Sequence, residues 1–185
     1  QIGPARFKLN TIRILPQINV TSTHVIFQKT GISILTNPHI NLSDLKQKNE
    51  QYFKKWFIIP ENNNLNEFNE ILTLITKERI KHLLGIEKDI NIILSLPNPC
   101  KIIETVIPHY NRFLRGFRGT FLLESDPQTL QFIYDYGFGV RTGQGFGLLK
   151  ILKELTESFG KTISTPTLAF AINQKYARYP IVKYC

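Results

Sequence analysis

The chain has 185 residues, 42% of them hydrophobic and 20% charged, with a net charge of +9, which is ordinary for a soluble globular domain with extensions. No apolar run approaches the roughly 20 residues that cross a bilayer, and no secretory signal precedes the fold, so no membrane partner is expected. Cys100 and Cys185 form neither a CxxC pair nor a ligand cluster with the four histidines, so the reading is a reduced, cytoplasmic protein without metal or cofactor.

The first predicted element is a strand over residues 6–15, ending at Pro16. A second extended, β-branched stretch covers 24–37, with Gly31 as a bulge or break. Residues 41–57 read as a helix: Ser43 can cap it, and Leu45, Tyr52, Phe53 and Trp56 share a face. The clearest helix is 65–85, with an apolar stripe of Leu65, Phe68, Ile71, Leu72, Ile75, Ile80, Leu83 and Leu84 and a stop at Gly85. Strands follow at 90–96 and 101–107, then a longer one at 111–125. Its period of two puts Phe113, Phe117 and Phe121 on one face and Arg112 and Arg118 on the other. Residues 126–137 read as a compact helix capped by Asp126 or Ser125, with Pro127 in its first turn and Gly137 at its end. A glycine-rich loop and a strand at 146–152 complete the order.

From residue 31 to 152 the order is strand, helices, strand pair, helix, strand. That is the α+β, ferredoxin-like (RRM-like) βαββαβ plan, an antiparallel sheet with helices on one face. The strand at 6–15 is one too many for this unit. The other sheet face is left for a partner domain or a ligand. The chain contains no methionine, which suits a fragment or a processed form.

Positive charge is uneven. Residues 1–43 carry Arg6, Lys8, Arg13 and Lys29 and no acid; residues 105–123 carry Arg112, Arg115 and Arg118 and no acid. Basic stretches beside aromatics are the footprint of a polyanion partner. Arginines along an extended strand present planar donors to a phosphate backbone.

The loop Gly137–Gly147, GFGVRTGQGFG, has five glycines in eleven residues. Dinucleotide binding is excluded by polarity: that motif follows a strand and opens a helix, whereas this one leaves a helix C-terminus and enters a strand. The nucleoside-triphosphate loop is excluded because no Gly-Lys-Ser/Thr closes it. Two uses of the glycines remain open: a tight connection packing a helix end on the sheet, or a concave backbone nest for an anion. In the second, Arg141 and Thr142 supply a charged fork and a hydroxyl.

The stretch YDYGFGVRTGQGFGLLKI resembles the C-terminal signature of the CRISPR repeat-RNA-processing endoribonucleases: Gly-hydrophobic-Gly, a short polar or basic turn, then Gly-Phe-Gly and a strand. The resemblance covers roughly residues 6–152. It implies the second of two tandem ferredoxin-like domains: 1–22 would end a preceding one, 23–152 would form this one, and 153–185 would be an extension. It implies binding of CRISPR repeat RNA through Gly137, Gly139, Arg141, Thr142, Gly143, Gln144, Gly145 and Gly147; Arg112, Arg115 and Arg118 are expected as further phosphate contacts from their place on an extended strand. It also implies metal-independent cleavage by attack of a ribose hydroxyl, with a histidine as acid–base group. That histidine belongs to the family's first domain, so no catalytic residue is assigned here; His109, beside Tyr110, is read as a surface or hydrogen-bonded histidine. The alternative is a non-catalytic RNA-binding or scaffold subunit with other CRISPR effector subunits as partners.

Overall fold

The computed structural model describes residues 17–40, 50–110 and 112–155, apart from the side chains of Glu50, Gln51, Tyr52 and Arg112. The predicted strand at 6–15, Ser43, Leu45 and the chain after Leu155 lie outside the described residues.

The elements run β1 (His24–Lys29), α1 (Glu50–Trp56), α2 (Leu65–Leu84), β2 (Ile93–Ser95), β3 (Ile102–His109), β4 (Arg112–Glu124), α3 (Pro127–Tyr136) and β5 (Leu149–Leu155). β4 organises the sheet. Along one side β1 pairs with residues 120–124, and β1 in turn pairs with β5. Along the other side β2 pairs with the end of β4 and β3 with its first half. All pairings are antiparallel, giving the order β5-β1-β4-β2 with β3 also on β4. This is the predicted ferredoxin-like plan, with one refinement: β2 and β3 are successive pieces of one edge, broken near Pro97 and Pro99.

Alternation sorts the two sheet faces. Val25 and Phe27 of β1 join the main core with Phe68, Ile71, Leu72 and Ile75 of α2. Ile26 turns the other way, into a smaller cluster with Cys100, Leu122, Leu152 and Leu155. Burial pushes the Cys100 thiol up to about 11, so it is inert at neutral pH. α2 also holds the short edge strand. Leu94 N–H donates to Asn69 Oδ1 at 2.9 Å, and Ile92 N–H to Thr73 Oγ1 at 3.1 Å. Edge amides that would otherwise face water or another chain are thereby satisfied.

Three boundaries differ from the sequence reading. β1 ends at Lys29, and the chain past Gly31 continues through isolated bridges: Ser33 to Phe117 of β4, Ile34 to Val140 of the glycine loop, and Thr36 to Phe57 just after α1. β5 begins at Leu149 rather than 146, because Gly147 is still turning, and it runs on to Leu155. Residues 20–22, assigned above to a preceding domain, are tied to this one. Val20 N–H donates to Gln131 Oε1 at 2.6 Å, and the amides of Thr21 and Ser22 donate to Glu154 Oε2 at 2.9 and 3.0 Å.

Lys29 also departs from expectation, since it faces the core and not a polyanion. It is 7% exposed, and its Nζ has no hydrogen-bond partner among the described residues. The ring centroids of Phe138 and Phe117 lie 5.0 and 5.3 Å away. Burial lowers its pKa well below the ordinary 10.5. Between the two pKa values the unfolded chain binds the extra proton, so this residue makes stability rise with pH, and the penalty vanishes above about 10.5. Lys29→Met is expected to raise the urea midpoint at pH 7 and to remove a slope of up to about 1.4 kcal/mol per pH unit. Urea titrations from pH 7 to 10 check this; a gain equal at every pH would contradict it.

Candidate nucleic-acid interface

The glycine loop divides into a buried neck and an open apex. α3 delivers the chain to the neck. Asp126 caps the helix by accepting from Thr129 N–H at 3.1 Å, and Pro127 opens the first turn, as predicted. Phe138 then plugs the core. It is fully buried, with ring centroids 5.2 Å from Phe121, 5.9 Å from Phe117 and 6.5 Å from Phe68.

The neck is stitched by backbone bonds. Phe138 N–H donates to Gly147 O at 2.9 Å, Val140 N–H to Ile34 O at 2.8 Å, and Gly147 N–H to Ile32 O at 2.9 Å. Ser33 Oγ donates to Phe138 O at 3.2 Å. Gly139 (φ +80°) and Gly147 (φ +81°) sit in the left-handed half of backbone space. A Cβ on Gly139 would run into the Ile34 carbonyl, and one on Gly147 into the Phe138 carbonyl. These two serve the close approach of backbones, while a Cβ on the buried Gly137 (φ +86°) would meet the Thr142 side chain. Of the two uses left open above, packing therefore accounts for the neck.

The apex is different. Arg141, Gly143, Gln144 and Gly145 are exposed. Thr142–Gln144 form one 3-10 turn, and a Cβ added at Gly143 or Gly145 would meet nothing within 4 Å. Arg141 itself is left-handed (φ +60°), and its Nη1 donates to Gln144 Oε1 at 3.3 Å. No described carboxylate pairs with it. The apex thus presents to water bare backbone at Gly143 and Gly145 and a guanidinium that no described carboxylate engages, while the half-exposed Thr142 hydroxyl accepts from Arg79.

Arg79, on α2, is the residue that sequence reading missed. Its Nη1 donates to Gly137 O at 2.7 Å and Gly139 O at 2.9 Å. Its Nη2 donates to Tyr136 O at 2.7 Å and Thr142 Oγ1 at 3.1 Å. The guanidinium also lies 5.5 Å from the Phe132 ring. Three carbonyls at the C-terminal, negative end of α3 would repel an anion brought to this loop. Arg79 covers them with positive charge and fixes the loop against α2. Burial lowers its pKa from the usual guanidinium value.

The arginine strand separates into distinct environments. Arg115 is 8% exposed. Its Nε and Nη2 donate to the two oxygens of Glu104 at 2.6 and 3.0 Å, and its Nη1 to Phe57 O at 2.7 Å and Lys54 O at 3.1 Å. The hydrogen bond from Arg115 lowers the Glu104 pKa. Arg115 therefore ties the hairpin to the end of α1 and is not placed to meet phosphate. Arg118 is exposed, at the register position opposite Ile103. Arg112 opens β4 opposite His109, and its side chain lies outside the described residues.

The phenylalanine face is also split. Phe117 and Phe121 are fully buried, whereas Phe113 is 63% exposed, because β1 reaches only residues 120–124 and leaves the first half of β4 paired with β3 as an arm. His109, near the arm's tip, stacks edge-on against Phe146 of the glycine loop, with centroids 5.6 Å apart. Among the described residues no three His, Cys, Asp or Glu side chains gather as a metal-ligand set.

The family model described as "CRISPR associated protein Cas6, C-terminal" matches residues 22–151, from the start of β1 through the glycine loop into β5. The chain belongs to the Cas6 family. Solved structures share the fold. One, described as a Cas6-related gene product from Pyrococcus furiosus, is 21% identical with a TM-score of 0.57 over 76% of this chain and 52% of that one. Another, described as a RAMP protein binding different RNA substrates, is 18% identical with a TM-score of 0.56 over 75% and 52%. A third, a CRISPR associated protein Cas6, is 19% identical with a TM-score of 0.54 over 77% and 52%. The chain spans about half the length of these Cas6 and RAMP structures. No curated protein matches it. Among the described residues no helix is long and apolar enough to cross a membrane.

Proposed function

We propose that this chain is the second ferredoxin-like domain of a CRISPR precursor-RNA-processing endoribonuclease, and that it binds repeat RNA at the apex of the glycine loop. The observation that carries the reading is the apex itself: exposed backbone at Gly143 and Gly145 beside Arg141, which no described carboxylate engages, in a chain of net charge +9. A ribose-phosphate strand can approach such a surface without meeting side chains, and a guanidinium pairs with phosphate through two donors. Thr142 and Gln144 flank that approach, and Arg118 is a more distant phosphate contact.

The binding test is salt-dependent affinity for single-stranded repeat RNA. Arg141→Ala is expected to weaken binding and to reduce the slope of log K against log salt by about 0.7, the release from one phosphate contact. Unchanged affinity and slope would remove the apex from the site. Cleavage belongs to the same reading through family membership, with no residue of this chain assigned to acid–base chemistry. Labelled repeat RNA incubated with chelator separates it from a non-catalytic scaffold: product supports processing, and tight binding without product supports the scaffold.

A further inference from the structure

We propose that Tyr110, at the tip of the β3–β4 hairpin, is a stacking platform for an unpaired RNA base next to the glycine apex; this rests on the RNA-binding reading above. Tyr110 is 90% exposed. Its backbone is left-handed (φ +51°), a conformation that glycine or asparagine adopts at a turn with less strain, and an L side chain there costs about 1–2 kcal/mol. A bulky aromatic in that position, held almost wholly in water, is not explained by the fold.

Its surroundings point to a ligand with flat rings and negative charge. The His109 ring lies 4.5 Å from the Tyr110 ring at 71°, and the Phe146 ring lies 5.6 Å from His109 at 73°. The rings therefore form a ladder from the hairpin tip to Gly145-Phe146-Gly147, the returning limb of the apex. Phosphate at the apex would bring its neighbouring base to this ladder. Phe113, 63% exposed, and Val106, 49% exposed, extend the same arm with apolar surface. Residues 105–123 hold no acid, so nothing on the tip itself repels a phosphate backbone. Aromatic rings beside a basic groove are how single-stranded nucleic acids are held without base reading.

The test uses the full chain and a single-stranded RNA oligonucleotide carrying 2-aminopurine. Tyr110→Ala is expected to weaken binding about tenfold, within the range of one lost base stack, with the salt slope unchanged because no phosphate contact is removed. Fluorescence of 2-aminopurine is quenched by the wild type and not by this variant. Tyr110→Trp keeps the affinity, and its added indole is open to iodide in the free protein and protected by the RNA. Tyr110→Gly relieves the turn and raises Tm while losing the same affinity, so lost binding cannot be blamed on lost folding. A perfectly paired RNA duplex shows no dependence on Tyr110.

Equal binding of single-stranded RNA by wild type and Tyr110→Ala overturns the platform and leaves the apex reading standing. An indole already shielded from iodide before RNA is added also overturns it, by showing that polypeptide covers the tip. Absence of RNA binding by the wild type overturns both.

Discussion

Gly139→Ala is expected to destabilise the chain by about 3–5 kcal/mol, a large part of the stability of a typical domain. Two penalties coincide at this position. The backbone sits at φ +80°, and the new methyl group would occupy the space of the Ile34 carbonyl oxygen. That carbonyl cannot withdraw freely, because Val140 N–H donates to it at 2.8 Å and Ser33 is bonded to Phe117 on the neighbouring strand. Phe138, the plug of the core, is the preceding residue and would be dragged with the neck. Gly143→Ala, in the same motif, adds its methyl group to open space and should change stability by no more than about 0.5 kcal/mol. Urea denaturation of the two variants measures the contrast. Similar losses in both would contradict the division into neck and apex.

Arg79→Gln is expected to cost about 2–3 kcal/mol, the typical loss when charged donors leave carbonyls without partners. Tyr136, Gly137 and Gly139 would each lose the donor that now satisfies a carbonyl at the helix end. The consequence for RNA should be larger than for the fold. With the guanidinium gone, the negative end of α3 lies open beneath the apex. Affinity for single-stranded RNA is expected to fall about tenfold or more while the salt slope stays near the wild-type value, since Arg79 faces protein carbonyls and not phosphate. Thr142→Val removes one of the four contacts and should lie between wild type and Arg79→Gln in both measurements. Isothermal binding at several salt concentrations, with thermal melts of the same samples, distinguishes the outcomes. A slope reduced as in Arg141→Ala would make Arg79 a direct phosphate ligand.

These effects also show which parts of the molecule are legible in the sequence. α2 and α3 are readable because their signals are local: an apolar stripe every three or four residues, Asp126 and Pro127 at one end, glycine at the other. The glycine loop is readable for the same reason, since five glycines in eleven residues have no common use in a helix or strand. What those glycines do is not local. Gly139 and Gly143 look alike in the sequence, and only the approach of the 32–34 segment to one of them separates packing from exposure.

Arg79 carries no signal at all. It lies 58 residues before its partner Gly137, on a helix whose polar face is expected to hold arginines. Arg115 misleads in the opposite way. It shares an acid-free stretch with Arg112 and Arg118, yet its partner Glu104 stands across the hairpin, just outside that stretch. Lys29 counts as surface charge by type and is buried because strand alternation puts it beneath Phe138. In each case the deciding contact is long-range, and residue type with spacing has no access to it.

The most direct measurement is amide NMR of the full chain titrated with single-stranded repeat RNA. Large shifts and slowed exchange are expected at the amides of Thr142 and Gly143, and shifts without slowed exchange at those of Gln144 and Gly145, which already donate to Arg141 O and Thr142 O; the amides of Gly139 and Gly147, bonded or sealed within the neck, stay unmoved. Shifts confined to other surfaces, with the Thr142 and Gly143 amides unchanged at saturating RNA, would contradict binding at the apex.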